Sequence, residues 1–164
     1  MNKLQAFDFL KDNQPLPSDE LLTESIIAEY DEVRGFFIDK PDKESISLFL
    51  NSFGEGDGLG VYQLVEDVFS CFSIDDMLEP LSQALLSQHS SVRYWCTQIC
   101  ASFPDSRLIP SLRYVLNDER VDTREAAIIA LDIIGSNQSI TLLKEAFLKE
   151  TDPEIKELIK DIIE

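Results

Sequence analysis

In the second half of the chain, apolar residues return at spacings of three and four. Ala126, Ala127, Ile129, Ala130, Ile133 and Ile134 make one broad stripe, while Arg124, Glu125 and Asp132 stay polar. This is the pattern of an amphipathic helix. Gly135 follows at the point where a helix ends on a left-handed residue. Ile155, Leu158, Ile159, Ile162 and Ile163 repeat the stripe. Asp152 precedes them as an N-cap, Pro153 suits the first turn, and Glu154 complements the helix dipole. Further amphipathic helices are predicted over Met77 to Leu86, Leu108 to Leu116 and Ile140 to Leu148, each followed by a polar loop. No stretch alternates in the manner of a strand.

The pattern is periodic at a larger scale. Ser91-Val92-Arg93-Tyr94-Trp95-Cys96, Asp122-Thr123-Arg124-Glu125-Ala126-Ala127 and Glu154-Ile155-Lys156-Glu157-Leu158-Ile159 align, with steps of 31 and 32 residues between their basic positions. A further step back of 31 lands on Val61, which opens the apolar run to Phe69, and on Leu50, in a helix predicted over Lys43 to Phe53. Units of this length, each a helix pair unable to bury its apolar face alone, stack into solenoids. Four pairs are expected: 42–73, 74–105, 106–138 and 139–164. Residues 41–164 then form the repeat array.

Residues 1–40 fit the repeat poorly. Leu4, Phe7 and Leu10 suggest a short helix, and Pro15-Leu16-Pro17 breaks it. A helix capped by Ser18 is expected through Leu21, Leu22, Ile26, Ile27, Tyr30 and Val33 to about Phe37. This segment is expected to cap the array, with a binding arm as the alternative.

The aligned segments resemble the HEAT family, in the short bacterial form first noted in phycobilisome lyases. Ser91-Val92-Arg93, Asp122 through Leu131, and Asp152-Pro153-Glu154-Ile155-Lys156 carry the resemblance. It is best in the middle copy and covers about residues 75–164. Tyr94-Trp95 stands where small residues are usual, and Tyr62 takes the basic position of the copy near Val61. The resemblance implies an all-α superhelix that serves as a protein-binding scaffold. It also implies that Arg93 and Arg124 bridge to an acid of a neighbouring turn and so set the register between repeats.

Charge narrows the class of partner. The chain of 164 residues has 31 acidic and 14 basic side chains, a net charge of -17. Residues 1–80 alone hold 18 acids and 5 bases. Such a field repels phosphate backbones, so nucleic acid is not expected as a ligand. It attracts basic proteins and speeds their arrival; the plain alternative is that it only maintains solubility. Met1 to Leu10 lacks the apolar run that export needs, so no signal peptide is expected, and no apolar run is long enough to span a bilayer. The expected location is cytoplasmic, with no membrane association and a monomer when free.

Candidate chemistry is sparse. Cys96 and Cys100 share one helical face and read as core, as does Cys71 between Phe69 and Phe72. His89 sits alone in a polar loop without a paired nucleophile. The glycine cluster Gly54 to Gly60 contains Glu55 and Asp57, which would repel phosphate, and reads as a flexible connector. No catalytic residue, metal or cofactor is expected. Trp95 and Tyr94 either fill a widened core or face outward. In the second case they join Tyr62 and Tyr114 as aromatic anchors along one stripe. With Glu66, Asp67, Asp75 and Asp76, these residues make up the expected partner-binding set. The function read here is a non-catalytic binding module for a basic protein, most concretely an inhibitor or immunity-type protein that covers a toxin. A lyase accessory and a structural adaptor are the alternatives.

Overall fold

A computed structural model describes residues 1–164. The chain is all-helical, with ten α-helices and no strand. It forms two compact units, Met1–Val92 and Arg93–Glu164.

The first unit contains α1 (Lys3–Asp12), α2 (Glu24–Asp39), α3 (Glu44–Leu50), α4 (Glu66–Phe69) and α5 (Ile74–Ala84). Its helix starts follow local chemistry. Asn2 and Gln5 form a reciprocal capping box on α1, and Ser73 and Asp76 do the same on α5. The helix expected from Ser18 begins instead at Thr23, whose hydroxyl accepts the Ile26 N–H. Ser18 instead opens a separate turn, in which its carbonyl accepts the N–H groups of Leu21 and Leu22. α1 packs on both α2 and α3, with Ala6, Phe7 and Leu10 buried.

The core of this unit is aromatic. Tyr30, Phe37, Phe49, Phe53, Tyr62 and Phe69 are all fully buried. Their rings meet edge-on or tilted, with Phe37–Phe49 at 5.8 Å and Phe53–Tyr62 at 5.4 Å. Such contacts add specific ring–ring attraction to the burial of large apolar area. Tyr30 satisfies its hydroxyl on Ser52 at 2.7 Å. Tyr62 accepts the Gly54 N–H at 3.0 Å, and burial pushes its phenol up to about 12.

The glycine cluster is a clasp, not the flexible connector expected. The Asp19 carboxylate accepts the N–H groups of Asp57 and Gly58 at 3.0 and 2.9 Å. The Asp19 N–H returns a bond to the Glu55 carbonyl, and Leu16 N–H bonds the Ser52 carbonyl. The Tyr62 N–H then reaches back to the Asp57 carbonyl. Tyr62–Val65 forms a 3₁₀ turn, so the helix expected over Val61 to Phe69 is reduced to that turn plus α4. Gly58 has φ 62°, and a Cβ there would lie 2.5 Å from the Tyr62 ring. Both the conformation and the contact require glycine.

The second unit contains most of α6 (Ser90–Ser102), then α7 (Ile109–Val115), α8 (Val121–Ile134), α9 (Asn137–Lys149) and α10 (Pro153–Ile163). α7 packs on α8, α8 on α9, and α9 on α10. Gly135 ends α8 in the left-handed region at φ 61°, and Ser136 at once caps α9. Asp152 caps α10 through the N–H groups of Glu154 and Ile155, with Pro153 in the first turn. Helix pairs therefore alternate as the thirty-one-residue period predicts.

A ladder of arginine and carboxylate groups links these pairs. Arg93 on α6 donates to Asp118, whose side chain is 1% exposed. The other Asp118 oxygen accepts the Arg120 N–H. The Asp118 carbonyl accepts Arg124 Nη1 at 3.0 Å. Arg124 then grips Glu150 with two parallel bonds, at 2.9 and 3.1 Å. Glu150 in turn accepts the N–H groups of Thr151 and Asp152. Both arginines thus bridge to an acid of the following turn. Lys156, the third basic position, lies instead over the Phe147 ring at 5.1 Å.

The clasp and the ladder each make measurable predictions. Gly58→Ala is expected to lower the urea unfolding free energy by about 2 kcal/mol or more. Gly35→Ala, in the interior of α2 with nothing near the added methyl, is expected to raise it by about 0.5 kcal/mol. Equal effects at the two sites would contradict the clasp. Arg124→Met leaves the buried Glu150 charge uncompensated and is expected to cost about 3 kcal/mol at pH 7. Burial alone would raise the Glu150 carboxyl. The Arg124 bond, the two backbone N–H groups and the Arg124 charge nevertheless hold it below its ordinary 4.5. The unfolded chain therefore takes up this proton first as pH falls. The stabilisation is complete above 4.5 and is lost below it. Stability measured against pH in Glu150→Gln should lose that part of the acid slope; an unaltered slope would rule out the electrostatic role.

Candidate functional site

Aligned by the repeat, the second helices of the three pairs present equivalent side chains. Tyr94, Glu125 and Glu157 occupy one register position, and Gln98, Ile129 and Asp161 occupy the next turn. Residues four apart on a helix share a face. So Tyr94 and Gln98 line up along α6, Glu125, Ile129 and Ile133 along α8, and Glu157 and Asp161 along α10. Ile129 and Ile133 are 40% and 48% exposed, large values for isoleucine in a helix whose other face is core.

The acids of this face are unevenly neutralised. Asp122 is held by Arg120, and Glu157 by Lys160 at 3.4 Å. Glu125, Asp132 and Glu154 are exposed and form no ion pair. α8 therefore carries two exposed isoleucines between unneutralised carboxylates.

Aromatic residues occur on other helices of the unit. Tyr94 and Trp95 are half-buried, their rings edge-on at 5.5 Å. Ala126 holds the position in α8 equivalent to Trp95 and is 4% exposed. An indole is too large for that slot, so Trp95 emerges partly into solvent. Tyr114 on α7 is 56% exposed. Tyr94 and Trp95 thus meet each other on α6, while Tyr114 stands on α7.

Tyr62 does not belong with them. It is 1% exposed, in the aromatic core of the first unit, because the glycine clasp folds its ring inward. The first-half acids are also partly spent. Asp76 is tied to Ser73 in the capping box and to Lys43 at 2.6 Å; the Lys43 bond first and the Ser73 bond second hold its carboxyl below the ordinary range. Asp67 pairs with Arg34 at 3.2 Å. Glu66 is half-buried, and Asp75 is exposed in the first turn of α5. The sequence stripe groups Ile129 and Ile133 with Ala126, Ala127 and Ala130, but the structure buries the alanines and turns the two isoleucines out. Net charge summed over halves of the chain conceals this face; the register of Glu125 with Glu157 is the sequence signal that marks it.

Other candidates have structural explanations. Cys96 and Cys100 are fully buried, and burial pushes both thiols well up, away from reactivity. Cys71 is exposed, contrary to its expected place in the core, because α4 ends at Phe69 and turns its side chain out against the Asp67 carbonyl. His89 is exposed beside Gln88. A cleft of about 280 Å³ lies between α7 and α9, but its charged walls are mutually paired as Arg113–Glu145 and Arg124–Glu150. It is the seam between two helix pairs. No helix is long and apolar enough to cross a membrane.

A search of curated proteins finds no match to the chain. The family model for HEAT repeats matches residues 78–161, half of the sequence. That span covers the three equivalent second helices and both arginine bridges between them. The chain is a member of the HEAT-repeat family.

Proposed function

We propose that this protein binds a basic protein through the α6–α8–α10 face of its second unit. HEAT repeats are protein-interaction modules, and their stacked helices offer an extended surface to a partner. The observation that carries the finer reading is the exposed Ile129–Ile133 pair set among Glu125, Asp132 and Glu154, none of them neutralised from within. Apolar side chains at the centre of a patch supply desolvation, and the surrounding charge selects and steers the partner. Trp95 and Tyr94 add amphipathic rings on α6. The most concrete partner is a basic toxin, such as a nuclease, whose anion-binding surface this face would cover. The chain would then be an inhibitor or immunity-type protein.

The test is binding to a panel of basic and acidic proteins of similar size, followed by fluorescence anisotropy at several salt concentrations. Basic proteins should bind preferentially, with affinity falling steeply as salt rises. Glu125→Lys with Asp132→Lys should weaken them by about tenfold or more at low salt, and Trp95→Ala by roughly the same factor. The double charge reversal should leave the fold intact, since both side chains are exposed. An indifferent panel, or full affinity in the double variant, would defeat the proposal.

A further inference from the structure

The same face contains a cation seat that the chain fills with its own side chain. Arg120 stands in the loop before α8. Its guanidinium lies over the Tyr94 ring, 5.1 Å from the centroid. Its Nε and Nη2 meet the two oxygens of Asp122 at 3.1 and 2.8 Å, a parallel two-point contact. Stacking on an aromatic face and two-point pairing with a carboxylate are the two preferences that set guanidinium apart from ammonium.

We propose that Tyr94 and Asp122 form an arginine-binding seat, and that an arginine of the basic partner takes it over by displacing Arg120. This rests on the reading of the α6–α8–α10 face above and deepens it, naming the group that one part of the face recognises.

Three observations favour exchange over a fixed structural role. The Arg120 side chain is 30% exposed and Asp122 50% exposed, so water reaches both. The backbone of Arg120 is held independently of its side chain: its N–H donates to Asp118 and its carbonyl accepts the Arg124 N–H. The side chain can therefore swing out while the loop and the start of α8 stay in place. By contrast Arg93 and Arg124, the ladder arginines, have side chains only 11% and 13% exposed, and each closes on a carboxylate more deeply buried than Asp122. Exchange replaces one guanidinium by another, so the seat loses no pairing when the partner arrives. Its own occupant acts as a competitor that weakens association and restricts the seat to partners able to match it.

The test uses the full chain and two fluorescent probes, an arginine nonamer and a lysine nonamer, in low salt. Arg120→Ser should raise affinity for the arginine peptide by about three- to tenfold over wild type, and by less for the lysine peptide. Lys144→Ser, which removes one positive charge at an exposed position of α9, controls for the change in net charge and should give a smaller gain for both peptides alike. Tyr94→Ala placed on Arg120→Ser should abolish the arginine-specific part. Arg120→Lys keeps the charge but loses the planar two-point contact. It should give an intermediate gain, and it carries the test if the serine variant does not fold. Equal or weaker arginine binding in Arg120→Ser and Arg120→Lys, or a gain matched by Lys144→Ser, overturns the seat. If the wild type still loses peptide on Glu125→Lys with Asp132→Lys, the basic-partner reading survives that result. If wild type and variants bind neither peptide, both readings fall.

Discussion

A carboxylate taken out of water must be matched by a cation and by donors to its remaining oxygen lone pairs. In the second unit this requirement runs from one helix pair to the next. Asp118 and Glu150 sit in the loops that join first to second helices, and each is claimed by the arginine that opens the preceding second helix. Because Arg124 also holds the carbonyl of Asp118, the two bridges share a node. Sliding one pair along the next would strand at least one buried charge. The ladder therefore fixes register where apolar packing of alanine, leucine and isoleucine alone would tolerate slippage. The cap on α10 belongs to the same chain of contacts, since Glu150 accepts the N–H of the capping residue Asp152.

The first unit solves its problem of uniqueness by other means. Large rings packed edge to face leave few alternative arrangements, and the two phenols among them are hydrogen-bonded to Ser52 and to the Gly54 N–H. The glycine clasp supplies the second constraint. An acidic side chain from the segment before α2 takes up two N–H groups of a loop that no helix could satisfy. Glycine is required there because the loop backbone passes close to other backbone and to a ring.

The distribution of charge looks different once these pairings are known. A net charge of -17 suggests a diffuse negative field. Yet Asp118 and Glu150 serve the ladder, Asp76 and Asp152 serve helix caps, and Asp19 serves the clasp. Acids that remain exposed and unpaired on one helical face, as Glu125 and Asp132 do, are a smaller and more informative set. Both stand on the helix that also carries the exposed Ile129 and Ile133.

Helix class and the thirty-one-residue period were legible in the sequence, because they depend on periodicity and on residue types repeated at fixed spacing; the arginine bridges were implied by the family resemblance. Gly135 and Asp152 announced their helix ends for the same local reason. What the sequence could not rank was competition between distant groups. Ser18 and Thr23 are both good cap types, and only the packed chain places the helix start at Thr23, with Ser18 opening a turn of its own. Gly54 to Gly60 reads as a loose connector until Asp19, nearly forty residues away, is brought against it. Tyr62 and Tyr114 look alike in sequence; one is buried under the clasp and the other stands in solvent. Which acids are spent and which remain exposed is likewise a matter of neighbours in space. A side chain's partners are set by distances of a few ångströms that only the packed chain defines, and the character of the α8 surface follows from that packing.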